Sequence, residues 1–195
     1  MTVPSGLSGI IRAVAPSDVL DFWFKQDRKA WFEKNPAFDA EIRARFLPFT
    51  EMALKQGLAI WHQEPTSCLA LVLLLDQFPR NMFRGSAKAF AGDPLAREAA
   101  RVILDNGWDK SMTPDERQFA YLPFEHSESL ADQERCLALM KEIAVFPATA
   151  DMPKWAEAHL LIIRRFGRFP HRNVALGRAS TPEETEFLSQ PGSSF

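Results

Sequence analysis

Eight consecutive apolar residues, 68–75, are followed at once by Asp76 and Gln77. A segment without a polar face must be buried on all sides, whether it forms a helix or a central strand. The surrounding sequence favours the helix, because apolar residues recur at intervals of three and four and no window alternates at every second position. We therefore predict a buried helix over 66–76 within an all-α protein.

Signals for helix starts and ends are frequent along the chain. Asp93-Pro94 is typical of a helix start, and Asn106-Gly107 is typical of a helix that ends in a left-handed residue. The segments 113–116 and 181–184 each begin with Thr-Pro and end with Glu, which predicts two capping boxes. Ser17 is the predicted N-cap of the first helix.

Three prolines are predicted to interrupt helices, because proline lacks an N–H and collides with the carbonyl four residues earlier. Pro48 should kink or divide the helix in which it lies. Pro79 should end the buried helix soon after Asp76, and Pro123 should end the helix that precedes it. Ser127 or Ser129 should then cap the next helix.

The composition is that of a globular protein, with 46% hydrophobic and 25% charged residues among 195. Connections between the helical segments are short, and nothing resembles a flexible linker except at the ends. We therefore predict one all-α domain of about eight or nine helices over residues 1–195, with its core at about 17–189.

Charge and apolar content restrict the location and the partners. A net charge of −2 argues against nucleic acid or an anionic membrane surface as the main partner. No apolar run approaches the length of a membrane span, and the amino terminus lacks the pattern of a signal peptide. We predict a cytoplasmic protein without membrane or nucleic-acid partners; its oligomeric state stays open.

Cofactor and metal motifs are absent from the sequence. There is no P-loop, no Gly-x-Gly-x-x-Gly, no His-Glu-x-x-His and no Gly-x-Ser-x-Gly. His126, His159 and His171 lack the close spacing of zinc ligands, and Cys68 and Cys136 each lie in an apolar, helix-like context. We predict no cofactor, no metal site, two buried cysteines and a core position for His159.

Asp76 is the first candidate for a functional site. A carboxylate is unfavourable at the negative end of a helix, and an unpaired buried carboxylate would cost several kcal/mol. Asp76 therefore needs a cation, and Arg80 and Arg84 are the nearest in sequence. Either the pair only joins two helices, or Asp76 holds one arginine while another binds an anionic ligand.

Two further polar clusters follow helix ends. His126 and Glu128 lie two residues apart in a turn, where they could transfer a proton, contact a ligand or make only structural hydrogen bonds. His171, Arg172 and Asn173 follow Phe169-Pro170, just as Arg80 and Asn81 follow Phe78-Pro79. This weak internal echo is consistent with stacked helical hairpins.

Motifs along most of the chain carry a family resemblance. In order, they are VLDFWF, LVLLLDQFPRNMFRG with AFAGD, ERQFAYLPFEHSE, and FGRFPHRN with LGR and STPEE. From about residue 18 to 188 the chain resembles the bacterial family called domain of unknown function 924. The resemblance implies a fold similar to tetratricopeptide-like α-α superhelices and no established activity, and no functional residue can be transferred from it.

We predict that the three clusters approach one concavity. The candidates for proton transfer are His126, His171 and Glu128. The candidates for ligand binding are Asp76, Arg80, Asn81, Arg84, Arg172 and Asn173.

Three hypotheses stay open at this stage, and with them the question of whether the protein is an enzyme. In the first, the arginines bind a small anion such as a carboxylate or phosphate, and a histidine oriented by Glu128 or Asp76 moves a proton. In the second, a concave helical surface binds an anionic peptide or protein segment. In the third, the clusters are buried networks that only fix how the helices pack.

Overall fold

Every regular element of the described chain is helical. The structure is a computed structural model that describes residues 14–193, and none of these residues is in a strand. The α-helices are α1 (Pro16–Phe24), α2 (Arg28–Phe32), α3 (Pro36–Leu54), α4 (Pro65–Val72), α5 (Phe78–Met82), α6 (Asp93–Asp105), α7 (Pro114–Glu125), α8 (Leu130–Ile143), α9 (Met152–Phe166) and α10 (Pro182–Leu188). A π turn, Leu73–Gln77, joins α4 and α5 into one rod. Counted in this way, the described chain has nine helices, in agreement with the predicted all-α fold.

From α6 to α9, each helix packs on the next, most extensively α8 on α9 and α7 on α8. The rod that begins with α4 packs against α1, α6 and α7, which places the predicted buried helix at the centre. This arrangement agrees with a stack of helical pairs. The closer likeness to tetratricopeptide proteins stays a prediction.

The predicted capping signals are mostly confirmed. Thr113 and Thr181 each cap a helix and exchange hydrogen bonds with the glutamate three residues later. Gly107 follows α6 in the left-handed conformation, with a φ of 66°. Ser17 is not the N-cap of the first helix, because α1 already begins at Pro16. Proline is preorganised for the first helical position, which moves the cap back to Ala15.

Pro48 and Pro123 lie inside continuous helices. Pro123 therefore does not end its helix, contrary to the prediction, and Pro48 does not divide its helix, so that of the two predicted outcomes at Pro48 a kink is the one that stays a prediction. A proline within a helix costs about 3 kcal/mol, so packing must offset the lost hydrogen bond. The neighbours of both prolines are buried: Phe49 is 8% exposed and Phe124 is fully buried. At both positions, burial in the tertiary structure thus outweighs the low helix propensity of proline.

Pro79 also fails to end its helix, and the π turn is the physical reason. In this turn the Phe78 N–H bonds to the carbonyl of Leu73, five residues earlier. In a regular α-helix, Pro79 would collide with the Leu75 carbonyl and could not bond to it. The wider turn relieves the collision, so the chain continues through α5.

Gly92 lies against the same carbonyl. A Cβ on Gly92 would lie 2.1 Å from the Leu75 oxygen, a distance that no side chain tolerates. Only glycine allows the chain to approach the rod this closely. The approach places Asp93, the first residue of α6, beside the end of the buried rod.

The apolar interior consists of two clusters of unequal size. The larger runs from Val19 to Ala156 and contains most of the buried aliphatic and aromatic side chains. The smaller is formed by Ile162, Ile163 and Phe169, with Phe166 and Phe187 packed against them.

Aromatic side chains form a large part of the larger cluster. Trp23 is fully buried, and its ring centre lies 6.4 Å from that of Trp31 and 5.4 Å from that of Phe119. Two other aromatic side chains lie at the surface, because Phe32 is 57% and Trp155 is 48% exposed. Phe32 ends a helix of five residues, and Trp155 lies in the first turn of α9, so neither is enclosed by neighbouring helices.

Both cysteines are free and buried, as predicted. Cys68 donates a hydrogen bond to the carbonyl of Ala99, and burial raises the pKa of its thiol to about 12. Burial also raises the pKa of Cys136. Within residues 14–193, no helix combines the length and the apolar character that a bilayer crossing requires.

Candidate functional site

Asp76 lies in the π turn, is wholly buried and has three polar partners. Its Oδ1 is 3.1 Å from Arg80 Nη1 and 2.8 Å from His126 Nδ1, and Gln77 donates to its Oδ2. Burial alone would raise the pKa of Asp76, but Arg80 and then His126 outweigh it and hold the pKa well below its usual range. The predicted pairing of Asp76 with an arginine is confirmed, and His126 joins the first two clusters.

Asp93 connects the first cluster to the third. Arg80 binds it through two hydrogen bonds, Nη1 to Oδ1 at 2.9 Å and Nη2 to Oδ2 at 3.2 Å. Arg172 Nη1 donates to the same Oδ2, also at 3.2 Å. The arginines of the two echoed Phe-Pro segments thus meet at one carboxylate. We refer to Asp76, Arg80, Asp93, Glu125, His126, His159, His171 and Arg172 as the polar core.

Aromatic rings cover both guanidinium groups. The centre of the Phe90 ring lies 5.7 Å from Arg80 Cζ and 4.7 Å from Arg172 Cζ. Arg172 Cζ also lies 4.4 Å from the centre of the Phe169 ring. Stacking of this kind is favourable for a planar cation and keeps water away from its faces.

Arg172 has few acceptors for a buried cation. Its side chain is 7% exposed, and its Nη1 bond to Asp93 is its one hydrogen bond within the described chain. Nε is buried without an acceptor among these residues. An arginine carries five N–H bonds, and buried donors are normally satisfied. Burial, followed by repulsion from Arg80, lowers the pKa of Arg172 to about 10.

His126 is oriented by Asp76. Because Asp76 is ionised, the proton of the neutral imidazole belongs on Nδ1, and Nε2 carries the lone pair. Burial and then Arg80 lower the pKa of His126, although Asp76 opposes them. The side chain is still 14% exposed. His126 therefore has the arrangement of a general base: a carboxylate fixes one nitrogen and leaves the other available.

His159 and His171 border the same region. The ring centres of His126 and His159 are 6.4 Å apart, and the Phe169 ring lies 5.6 Å from both His159 and His171. His159 Nδ1 donates to the Trp155 carbonyl, so it is a buried core histidine, as predicted. Burial lowers the pKa of His159 to about 3 and, together with Arg172, that of His171 to about 4.

Glu125 is a buried carboxyl that the sequence reasoning missed. It ends α7 and is 5% exposed; its Oε1 is 3.6 Å from His159 Nδ1, and its Oε2 is 3.9 Å from Cys136 Sγ. No arginine or lysine of the described chain forms an ion pair with it. Burial and then Asp76 raise its pKa to about 8, so the carboxyl is protonated at neutral pH.

Glu128 holds the turn that carries the third cluster. Arg178 binds it with two hydrogen bonds, of 2.7 and 2.9 Å, and the Phe169 N–H donates to it at 2.8 Å. Burial would raise the pKa of Glu128, but Arg178 outweighs it, so the pKa is lowered. The bond to Phe169 attaches Glu128 to the turn that carries His171 and Arg172, and its carboxylate is occupied by Arg178 and by this backbone N–H.

Three predicted ligand-binding residues have partners outside the polar core. Asn81 and Arg84 both bind Asp39, Arg84 through Nε at 2.6 Å and Nη2 at 2.9 Å. Asn173 donates to Glu184 and accepts from Arg178. The structure therefore brings together Asp76, Arg80, His126 and Arg172, with His171 next to them, and separates the rest.

The basic stretch between 159 and 181 is neutralised by partners from elsewhere in the chain. Its arginines pair with acidic residues as follows: Arg164 with Glu134, Arg165 with Glu183, Arg168 with Glu184, Arg172 with Asp93 and Arg178 with Glu128. The absence of acidic residues in this stretch therefore produces no surplus of positive charge. Arg172 differs from the others by its burial, because its side chain is 7% exposed and each of the other four is at least 23% exposed.

Two cavities stand out on the described surface, and both lie away from the polar core. One, of about 540 Å³, is an open cleft between α1 and α3, where Asp18 and Lys25 face Glu41 and Arg45. The other, of about 110 Å³, is lined in part by His62 and Leu95. No group of three or more His, Cys, Asp or Glu among residues 14–193 is arranged to hold a metal ion.

Chemically, the polar core combines a base, an acid and two arginines at the junction of the two apolar clusters. Asp76 follows Leu75 of the larger cluster, and His159 contacts Phe169 of the smaller one. The environment pushes the pKa of His126 down and that of Glu125 up, which keeps both groups neutral. Paired groups with opposed shifts are typical of sites that move protons.

Comparisons with known proteins agree on the family. The family model described as "Bacterial protein of unknown function (DUF924)" matches residues 19–192. A solved structure of a protein of unknown function from Agrobacterium tumefaciens is 43% identical, covers 89% of this chain and 96% of its own, and superposes with a TM-score of 0.82. No curated protein matches. The chain therefore belongs to the bacterial DUF924 family.

Proposed function

We propose that the protein binds a small anionic molecule at the polar core and that His126 accepts a proton from it. The observation that carries the proposal is Arg172, a buried arginine whose side chain makes a single hydrogen bond within the described chain. An unsatisfied buried donor costs about 1–3 kcal/mol, and more when it is charged. An anion that bound there would remove this cost.

The position of His126 supports a role in proton transfer. Asp76 is bonded to its Nδ1, so Nε2 faces away from the carboxylate with its lone pair available. Arg80 joins both parts of the proposed site, because it contacts Asp76 on one side and Asp93, the partner of Arg172, on the other. One set of ion pairs therefore holds both His126, the proposed base, and Arg172, the proposed binding residue for the anion.

A compact ligand fits these residues better than a peptide. The side chains of Asp76, Asp93 and Arg172 are each less than a tenth exposed. A peptide-binding surface would instead present its polar groups along an open concave face. A cytoplasmic location remains part of the proposal.

A thermal-shift screen of carboxylates, phosphates and sulfates tests the anion site. We expect hits with the native protein that disappear in Arg172→Lys, because lysine keeps the charge and loses the planar donor edge. The matched control is Arg165→Lys, whose arginine is 51% exposed and pairs with Glu183 on the surface. The proposal would be contradicted if no anion of the panel raised the melting temperature of the native protein. It would also be contradicted if Arg172→Lys were stabilised by the same anions.

Proton transfer is tested with the ligands that the thermal-shift screen identifies. In D2O, we expect the native protein to catalyse the exchange of an acidic C–H hydrogen of a bound ligand for deuterium. The rate of this exchange is measured by NMR. His126→Gln should abolish the exchange while leaving ligand binding, because Gln keeps a donor toward Asp76 but cannot accept a proton. Exchange that is equally fast in His126→Gln would rule out His126 as the base.

A further inference from the structure

The free edge of Arg172 determines which anions fit by shape. Asp93 occupies Nη1, so the remaining donors are Nε and Nη2, which point two N–H bonds in parallel from one edge of the guanidinium. Two parallel N–H bonds match two oxygens of a single anionic group. Carboxylates and phosphates both satisfy this condition, so charge has to decide between them.

The charges of the polar core already balance. Asp76 and Asp93 are opposed by Arg80 and Arg172, which gives two negative and two positive charges. The three histidines are neutral, and Glu125 is protonated. A ligand therefore adds its whole charge to a site that is neutral as a whole.

Burial makes each added charge expensive. Arg172 is 6% exposed and lies against the Phe90 and Phe169 rings, so a ligand on its free edge loses much of its hydration. A single negative charge can still be stabilised by the unused N–H bonds of the guanidinium, although the charge of Arg172 is already balanced by Asp93. A phosphate monoester carries a charge of about −1.5 to −2 at pH 7, so its second charge would have no partner and would repel Asp93.

We infer that the anion bound at Arg172 is a carboxylate with a single negative charge, and that the site discriminates against phosphate monoesters. This inference rests on the proposed function, since it names the class of ligand for the same site. The Arg172 edge supplies a bidentate contact to the carboxylate. The neutral histidines surround the site without adding positive charge that would attract a dianion.

Acetate and methyl phosphate are suitable probes, because they differ in charge and are both small. Each is titrated at pH 7.5 and constant ionic strength into the native protein, and the Arg172 Nε–H resonance is followed by NMR. We expect acetate to shift this resonance with a dissociation constant at least about tenfold lower than that of methyl phosphate. Arg172→Lys identifies the resonance by its loss, and Arg165→Lys should leave it unchanged.

The outcomes separate the two proposals. If methyl phosphate binds at Arg172 as tightly as acetate, the inference is wrong and the anion site stands. If neither probe shifts the Arg172 resonance, the anion site and the inference both fail. Circular dichroism shows whether Arg172→Lys folds. If it does not, the Nε–H resonance is assigned in the native protein by through-bond correlations along the Arg172 side chain. The titration of the native protein then still compares the dissociation constants of the two probes.

Discussion

The interior of this protein is stabilised in two different ways. Around Trp23 and Phe78, aromatic rings pack with centre-to-centre distances of about 5–6 Å. In the polar core, by contrast, Asp76 and Asp93 are held by arginines and by His126 at hydrogen-bond distance. The stability of the aromatic region depends on the buried apolar area and on how well the rings fit together, and pH hardly changes either of them. The polar core depends on protonation states, so it is the part of the molecule that can respond to a proton or to an anion.

Asp76→Ala should have the largest effect on stability. It leaves Arg80 and His126 without their shared carboxylate, which is expected to cost about 3–5 kcal/mol of the free energy of unfolding at neutral pH. Since the pKa of Asp76 is lowered in the folded state, this contribution is present above the unfolded pKa and is lost as pH falls through the folded pKa. Urea denaturation at several pH values measures it.

The matched control is Leu74→Ala, a truncation of a fully buried apolar residue in the same turn. It should cost about 2–5 kcal/mol through cavity formation, with the same value at every pH. If the cost of Asp76→Ala is also independent of pH, or lies below about 1 kcal/mol, the ionic description of the polar core is incorrect.

Glu125→Gln should stabilise the protein at pH 8 by about 2–4 kcal/mol. The pKa of Glu125 is raised to about 8 in the folded state, so the unfolded chain loses its proton first. The native protein therefore loses stability as pH rises from the unfolded pKa, near 4.5, to about 8. Glutamine imitates the protonated acid and cannot ionise. The difference between the two unfolding free energies should grow across this window.

Glu142→Gln is the control for that experiment, because Glu142 is 51% exposed and pairs with Lys110 on the surface. We expect it to show no growing difference between pH 5 and 8. A Glu125→Gln protein whose stability parallels that of the native protein across this range would mean that Glu125 ionises normally.

Phe22→Leu tests the aromatic region. Phe22 is 7% exposed and contacts the rings of Phe38, Phe46 and Phe78. Replacement by a smaller apolar side chain should cost about 1–2 kcal/mol, and the cost should be equal at pH 5 and pH 8. Chemical denaturation measures this cost, and a clear pH dependence would show that the two regions are coupled.

Arg84→Gln should have the smallest effect, below about 1 kcal/mol. Arg84 is 38% exposed and binds Asp39 at the surface, although it lies only four residues from Arg80 in sequence. The cost should shrink further in high salt, because screening weakens exposed ion pairs. A loss comparable to that of Asp76→Ala would place Arg84 in the polar core after all.

Much of the helical fold could be predicted from the sequence, because the apolar period and the capping residues act locally. Thr113 and Thr181 are examples in which a cap and a glutamate three residues later determine a helix start. Pro79 and Pro123 were wrongly predicted to end helices for the opposite reason. Pro79 does not end its helix because a π turn precedes it, and this turn does not follow from local preference.

The candidate site was predictable only in part. The carboxylate at the end of an apolar run required an arginine, and Arg80 supplies it. Asp93 was interpreted as a helix start, which it also is, so its two arginines went unnoticed. Glu125 carried no signal in sequence, because nothing local shows that a glutamate at a helix end is buried.

The shared carboxylate also has a consequence for the order of folding. Arg172 and Asp93 are 79 residues apart, and His126 and Asp76 are 50 apart, whereas Trp31 bonds to the backbone of Trp23 only 8 residues away. Contacts between distant segments form late, because the loop between them must first be closed. The contact between Trp31 and Trp23 can therefore form early in folding, whereas Asp93 receives its second arginine only when the last third of the chain has docked.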